Sequence, residues 1–148
     1  METNAKMFDG YADKYDQWFL TNNRVFESEL KLLHACLNPL KKDKILSVGC
    51  GSGLFESALK REYDIIVEYG LEPSTDMAKI AEKRGVKVEI GDAETTLLKA
   101  EEYDVIYLNG CSTYIVDLSS AYRNCYNALK KGGSLILLDV PVESAYGI

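Results

Sequence analysis

Residues 44–53 read KILSVGCGSG, and Glu72 follows 19 positions after Gly53, inside a second run, IIVEYGLEPS, at 65–74. A short apolar strand breaks into three glycines at alternate positions (Gly49, Gly51, Gly53), and a helix-compatible stretch starts at Leu54. Glycines at such a break let the backbone take positive φ and come close to a ligand with no Cβ in the way. A carboxylate about 20 residues further on is where a nucleotide-type βαβ unit carries its acceptor for ribose hydroxyls. The spacing is G-x-G-x-G, with Leu54 where a dinucleotide turn wants a further glycine, and no Lys-Ser/Thr follows to cradle a phosphate. The loop therefore suits close backbone approach without the usual phosphate-binding features.

Composition frames this signal. At 148 residues the chain is of single-domain length, and its 47% hydrophobic content is ample for a packed core. A net charge of −6 disfavours a phosphate backbone or an anionic membrane as partner, so neither nucleic acid nor membrane is expected. No apolar stretch approaches the ~18 residues of a membrane span. The first ten residues, METNAKMFDG, lack a signal-peptide apolar region, so a cytoplasmic location is expected. Cys36, Cys50, Cys111 and Cys125 are widely spaced and read as reduced thiols. With His34 the one histidine, no metal site is expected, and an isolated helical histidine reads as structural.

Along the chain, helical and strand patterns alternate. An aromatic stretch (Phe8, Tyr11, Tyr15, Trp18, Phe19) precedes a helix carrying Phe26, Leu30, Leu33 and Leu37 at helical spacing, ended by Pro39. Strand 44–48, the glycine loop, a helix over 54–61 and strand 65–71 follow. Ser74 after Pro73 predicts an N-cap for a helix running to about Arg84 and closed by Gly85. The strict alternation of VKVEI at 86–90 predicts an edge or half-solvated strand. Strand 103–108 comes next, then a helix over 117–130 that Gly132 and Gly133 are expected to stop. The almost wholly apolar 134–140 reads as a buried parallel strand. Five strands alternating with helices predict an α/β fold with a doubly wound, mostly parallel sheet.

Ligands of such sheets bind beyond the carboxyl ends of the strands, near the point where strand order reverses. With the first strand central, the ends to inspect are 49–53, Glu72, 91–94 and 109–114. Asp92, with the Ala93 backbone beside it, offers an acceptor for the exocyclic amine of a purine. Asn109, Ser112, Thr113 and Tyr114 follow the fourth strand, where a reacting group would lie.

In this order, the strings ILSVGCGSG, GLEPS, IGDAE, YDVIYLNG and LKKGGSLILLDVP resemble the motifs of class I S-adenosylmethionine-dependent methyltransferases, in particular the small-molecule branch related to the ubiquinone-biosynthesis enzymes. YADKYDQWF at 11–19 is similar to the aromatic segment that caps the cofactor in that branch. The resemblance implies a Rossmann-like domain over 1–148, with a helical cap at 1–40 and a core at 41–148. It implies S-adenosylmethionine as cofactor and a small-molecule methyl acceptor. Gly49, Gly51 and Gly53, with Cys50 between them, would line the methionine and ribose side, and Glu72 would take both ribose hydroxyls. Asp92 and Ala93 would read the adenine, while Leu71, Pro73 and Met77 offer apolar walls, or are simply core. Tyr11 and Tyr15 would close over the site, and Asn109 would complete the cofactor set.

Two departures from the family pattern stand out. Ser47 occupies the first-strand position where an acidic residue is usual. The family fold also continues past the fifth strand into a helix and an antiparallel pair that this chain, stopping at Ile148, lacks. A truncated product, or a sheet edge covered by something else, is therefore expected, with self-association through the exposed edge as one form of cover. No catalytic triad is needed, because the cofactor brings an activated methyl and the protein supplies proximity and in-line orientation. For a base, Tyr15, Asp16, Tyr114 and Asp117 are the candidates, against the alternative of solvated charges and packed tyrosines. Cys111 lies in the expected acceptor loop, where a small buried thiol is the commoner reading. Two other functions fit the same residues: a cofactor-binding domain without turnover, and a nucleotide-binding oxidoreductase domain, which Leu54 disfavours.

Overall fold

The computed structural model describes residues 10–140, so Phe8, the first nine residues and the chain end at Ile148 lie outside the described residues. Two helices, α1 (Ala12–Thr21) and α2 (Asn23–Leu37), lead into a sheet built from β1 (Ile45–Val48), β2 (Tyr69–Glu72), β3 (Lys87–Ile90), β4 (Tyr103–Asn109) and β5 (Leu129–Leu138). Between them lie α3 (Leu54–Tyr63), α4 (Thr75–Lys83), a 3-10 turn at Ser112–Tyr114, and α5 (Leu118–Ala128). The strands run parallel in the order β3-β2-β1-β4-β5, so β1 is central and the order reverses beside it. This is the doubly wound α/β fold that the alternating sequence pattern predicts.

Strand alternation divides the core between the two faces. Ile45, Val105 and Tyr107 pack with Phe19, Phe26, Leu30, Leu33, Leu37 and Leu59 of the first three helices. Leu46, Val48, Ile106 and Leu108 pack with Ala121, Cys125 and Ala128 of α5. Each fully buried leucine or isoleucine here contributes about 1.5–3 kcal/mol relative to exposure. The aromatic stretch before α2 is itself a helix, and its Phe19 meets Phe55 of α3 edge-on at 5.4 Å. That contact fixes α1 over the carboxyl end of β1. His34 stacks on Tyr63 with centroids 3.8 Å apart, which is a packing role.

Three sequence expectations need correction. β2 pairs only from Tyr69, because β1 begins at Ile45 and its register partner for Tyr69 is Leu46. Ile65 and Val67 are buried in the core ahead of the strand, and Ile65 N closes α3 by donating to Leu59 O. Helix α5 ends at Ala128 rather than Lys130, since Leu129 is already extended and pairs with Tyr103 of β4. Gly132 and Gly133 therefore sit in an irregularity of β5, between the Tyr103 and Val105 pairings, and do not cap a helix. A Cβ on Gly133 would come within 2.8 Å of Lys130 O and 3.0 Å of Asp104 O. Finally, β5 is an edge strand among the described residues, with Ile136 buried but Leu137 46% exposed. Its apolar run reflects no burial on both faces here. β3 lies at the other edge, as its sequence predicts, with Val88 partly buried but Ile90 exposed.

Candidate functional site

A cavity of about 530 Å³ opens above the carboxyl ends of β1, β2 and β4 and is roofed by α1 and α2. Its floor is backbone. β1 runs into Gly49, Gly51 and Gly53, all at positive φ (72°, 57° and 73°). Gly49 N donates to Leu71 O at 2.7 Å, which holds the loop against β2. A Cβ on Gly49 would stand 2.9 Å from the Cβ and Sγ of Cys111, so close packing and positive φ both require glycine there. Gly49 and Gly51 line the cavity, whereas Gly53 begins α3 away from it, beside Ala81.

Glu72 ends β2, is buried, and lines the cavity. Its Oε1 accepts from Gly51 N at 3.0 Å and its Oε2 from Ser74 N at 2.7 Å. Ser74 in turn caps α4 by accepting from Met77 N, as its position after Pro73 predicts. One carboxylate thus ties the glycine loop to the start of α4. Leu71, Pro73 and Met77 form an apolar wall beside it.

Asp92 and Ala93 line the next stretch of wall. The Asp92 carboxylate accepts from the backbone N–H groups of Glu94 (3.0 Å) and Thr95 (2.6 Å) and from the Thr95 hydroxyl, so it organises its own turn. Asn124 of α5 donates to Ala93 O and Thr96 O and pins that turn from behind. Asn109 lines the cavity at the end of β4, beside Cys111. Burial, with the carboxylates of Asp139 and Glu72 nearby, pushes the Cys111 thiol up to about 12. It stays a thiol at neutral pH, although it is only partly buried and lines the cavity.

The roof is built from side chains. Tyr15 and Phe19 of α1, Glu29 of α2 and Phe55 of α3 face the same cavity, with Tyr114 from the turn after β4. Tyr15 and Phe19 meet edge-on at 5.1 Å. Burial, reinforced by the Glu56, Glu29 and Asp16 carboxylates, raises the Tyr15 hydroxyl well above its usual range, which removes it as a phenolate base near neutrality. Burial also raises the Glu29 carboxyl.

Other expected positions lie elsewhere. Tyr11 is 54% exposed and does not line the cavity. Cys50 is buried against Ala81 and Val86, and burial raises its thiol far above the ordinary value. Asp16 is buried outside the cavity, where its carboxylate pairs with Arg84 at 2.8 Å and accepts from the Ser52 hydroxyl. It serves as an anchor for α1 and is committed against base chemistry. Arg84 also donates to Ser52 O at 2.8 Å, so α1, the glycine loop and α4 meet at one point. Asp117 caps α5 through Ser120, and those hydrogen bonds lower its carboxyl.

Ser47 is buried on β1, and its side chain is hydrogen-bonded to the Tyr107 hydroxyl. That hydroxyl donates to Glu56 Oε2 at 2.8 Å. A buried acid thus lies one hydrogen-bond relay from Ser47, in the first turn of α3 and outside the cavity lining. Burial pushes its carboxyl up to about 7, against the Tyr107 hydrogen bond. Sequence reasoning missed Glu56, Phe55, Glu29 and Asn124. Glu29 did leave a signal, since it falls within the apolar stripe Phe26–Leu30 of α2.

Among known proteins, a family profile described as a methyltransferase domain matches residues 46–137. An uncharacterized protein of Methanocaldococcus jannaschii is 32% identical over 141 residues, covering 95% of this chain and 64% of that protein. The ubiquinone/menaquinone biosynthesis C-methyltransferase of Campylobacter jejuni is 32% identical over 153 residues, covering 93% of this chain and 63% of the enzyme. A crystal structure from Thermotoga maritima superposes with a TM-score of 0.85 at 36% identity, covering 97% of this chain and 65% of that one. That protein is given as an S-adenosylmethionine-dependent methyltransferase and possible histamine N-methyltransferase. The chain therefore spans just under two thirds of the length of these relatives.

Proposed function

The chain belongs to the class I S-adenosylmethionine-dependent methyltransferases, with S-adenosylmethionine as cofactor, and from that premise we propose that it transfers the methyl group to a small-molecule acceptor. The observation that carries this reading is Glu72, held by Gly51 N and Ser74 N at the wall of the cavity. In this reading its carboxylate, an acceptor-only group at the cavity wall, would take the ribose hydroxyls. Asp92 and Ala93 stand where the adenine would be read, with Leu71, Pro73 and Met77 against its face. Gly49 and Gly51 would pass the methionine side, and Asn109 would border it. Gly53, Cys50 and Tyr11 act at most indirectly, by shaping the loop and the outer surface of α1.

When bound, the cofactor supplies an activated methyl on a sulfonium. The residues supply position: aromatic faces suit a cationic sulfur, and the roof excludes water around the reacting atoms. The cavity volume is that of a site for one small ligand pair rather than a polymer. Residues 1–148 act as one domain in this reading, with α1 and α2 as its cap. Self-association through the edge of β5, open among the described residues, belongs to the same proposal, since Leu137 is half exposed there.

A second reading is a cofactor-binding domain without turnover; the chain spans about two thirds of the length of its relatives. Transfer from methyl-labelled cofactor into a small-metabolite extract separates the two. Labelled low-molecular-weight product is expected. Cofactor binding with no label transferred to any metabolite would favour the binding domain.

A further inference from the structure

The cavity carries more acid than the cofactor uses. Glu72 and Asp92 are taken by the cofactor in the reading above, but Glu29, Glu94 and Asp139 also line the cavity. Among the described residues no lysine, arginine or histidine lines it. Glu29 is distinctive in its surroundings. It projects from α2 between the buried Phe26 and Leu30, and burial disfavours its charged form. Among the described residues no cation pairs with it in a salt bridge. The Tyr15, Phe19, Phe55 and Tyr114 rings line the same cavity. Carboxylates are seldom left half-buried without a positive partner, because desolvation penalises the charge.

Resting on the methyl-transfer reading, we propose that the acceptor is a small amine, held as its ammonium ion between the Glu29 carboxylate and the Tyr15, Phe19, Phe55 and Tyr114 rings. An ammonium over aromatic faces gains a cation–π attraction that strengthens as water is excluded. Other acceptor classes fit less well. A phosphorylated acceptor would bring negative charge into a cavity with several carboxylates and no described cation. A phenol must become phenolate to react well, which adds an anion beside Glu29 and Asp139. An amine removes charge conflict instead of adding it.

The step balances with the groups present. The ammonium gives one proton to the Glu29 carboxylate, leaving a neutral amine. The amine lone pair forms the N–C bond as the C–S bond breaks, and that bonding pair stays on sulfur. The products are the N-methylated ammonium, S-adenosylhomocysteine and a protonated Glu29, which returns its proton to water.

The test uses the full chain saturated with S-adenosylhomocysteine. Calorimetric titration compares 2-phenylethylamine, tyramine and cyclohexylamine with 2-phenylethanol, 4-ethylphenol, cyclohexanol and phosphoethanolamine. At least one amine is expected to bind about tenfold or more tightly than its uncharged counterpart, the scale of a charge-assisted hydrogen bond. Glu29→Gln is expected to erase that preference, and Glu29→Asp to restore part of it, with S-adenosylhomocysteine affinity unchanged in both. Equal or tighter binding of the alcohols, the phenol or phosphoethanolamine would overturn the proposal, as would an amine preference that survives Glu29→Gln. Failure of S-adenosylhomocysteine itself to bind would overturn the methyl-transfer reading as well. Cofactor binding without an amine preference would overturn this inference alone.

Discussion

The floor and the roof of the cavity are made of different material. The floor is backbone: positive-φ glycines, strand ends, and a carboxylate that accepts from two main-chain N–H groups. The roof is side chain: Tyr15, Phe19, Glu29 and Phe55, carried on three helices and fastened through Phe19–Phe55 and Asp16–Arg84. A backbone-built surface holds one ligand by shape and tolerates few replacements. A side-chain roof sets what else enters, and one substitution changes it. In the proposed reading the floor would carry the common cofactor and the roof the particular acceptor.

The largest effect that can break this contrast is on the roof. Phe19→Ala removes a buried ring that touches Tyr15, Trp18, Phe26 and Phe55, and is expected to cost about 3–5 kcal/mol in urea unfolding. A cost below about 1 kcal/mol would mean that α1 is not docked as described. Next comes the floor. Gly49→Ala places a methyl 2.9 Å from Cys111 at φ 72°, and is expected to cost about 2–4 kcal/mol and most of the cofactor affinity. If Gly49→Ala binds cofactor normally, the floor is more pliable than its geometry says.

A third test lies between the two, at Glu56. Its carboxyl is raised by burial to about 7 in the folded chain, above its unfolded value. Its contribution to stability is therefore fully present below about pH 4.5 and is lost as pH rises through about 7. Glu56→Gln is expected to raise stability relative to the parent at pH 8 by about 1–2 kcal/mol, with the gain shrinking toward pH 5. Thermal melts across that range check it, and a constant difference at every pH would contradict the assignment. The smallest effect is at Tyr11. Exposed and outside the cavity, Tyr11→Ala is expected to leave cofactor affinity within about twofold. A larger loss would bring Tyr11 back into the roof.

Legibility follows the same division. Glycine spacing, the distance to Glu72 and the Asp92 turn are one-dimensional signals, because consecutive strand ends converge in a parallel sheet. The cap of α4 by Ser74 was readable for the same local reason. The roof depends on which face of α1 and α2 meets the sheet, and spacing alone separates Tyr15, which enters, from Tyr11, which does not, only once the packing of Phe19 is known. Asp16 looked chemical because it neighbours Tyr15, yet helical geometry turns it toward Arg84. Glu29 was missed because its place beside the apolar stripe of α2 gains meaning only once that face is seen to meet the cavity. Gly132 and Gly133 misled because a helix stop and a strand irregularity use the same residue. The tie between Ser47 and Glu56 could not be read from spacing, because it runs through space by way of Tyr107.

The central claim is that the floor holds S-adenosylmethionine through Glu72. Calorimetric titration of the chain and of Glu72→Ala with S-adenosylhomocysteine, with NAD as control, tests it most directly. Saturable binding that weakens by about 1–3 kcal/mol in Glu72→Ala, with no NAD binding, is the expected result. Unchanged affinity in Glu72→Ala, or binding of NAD in place of the sulfur compound, would contradict it.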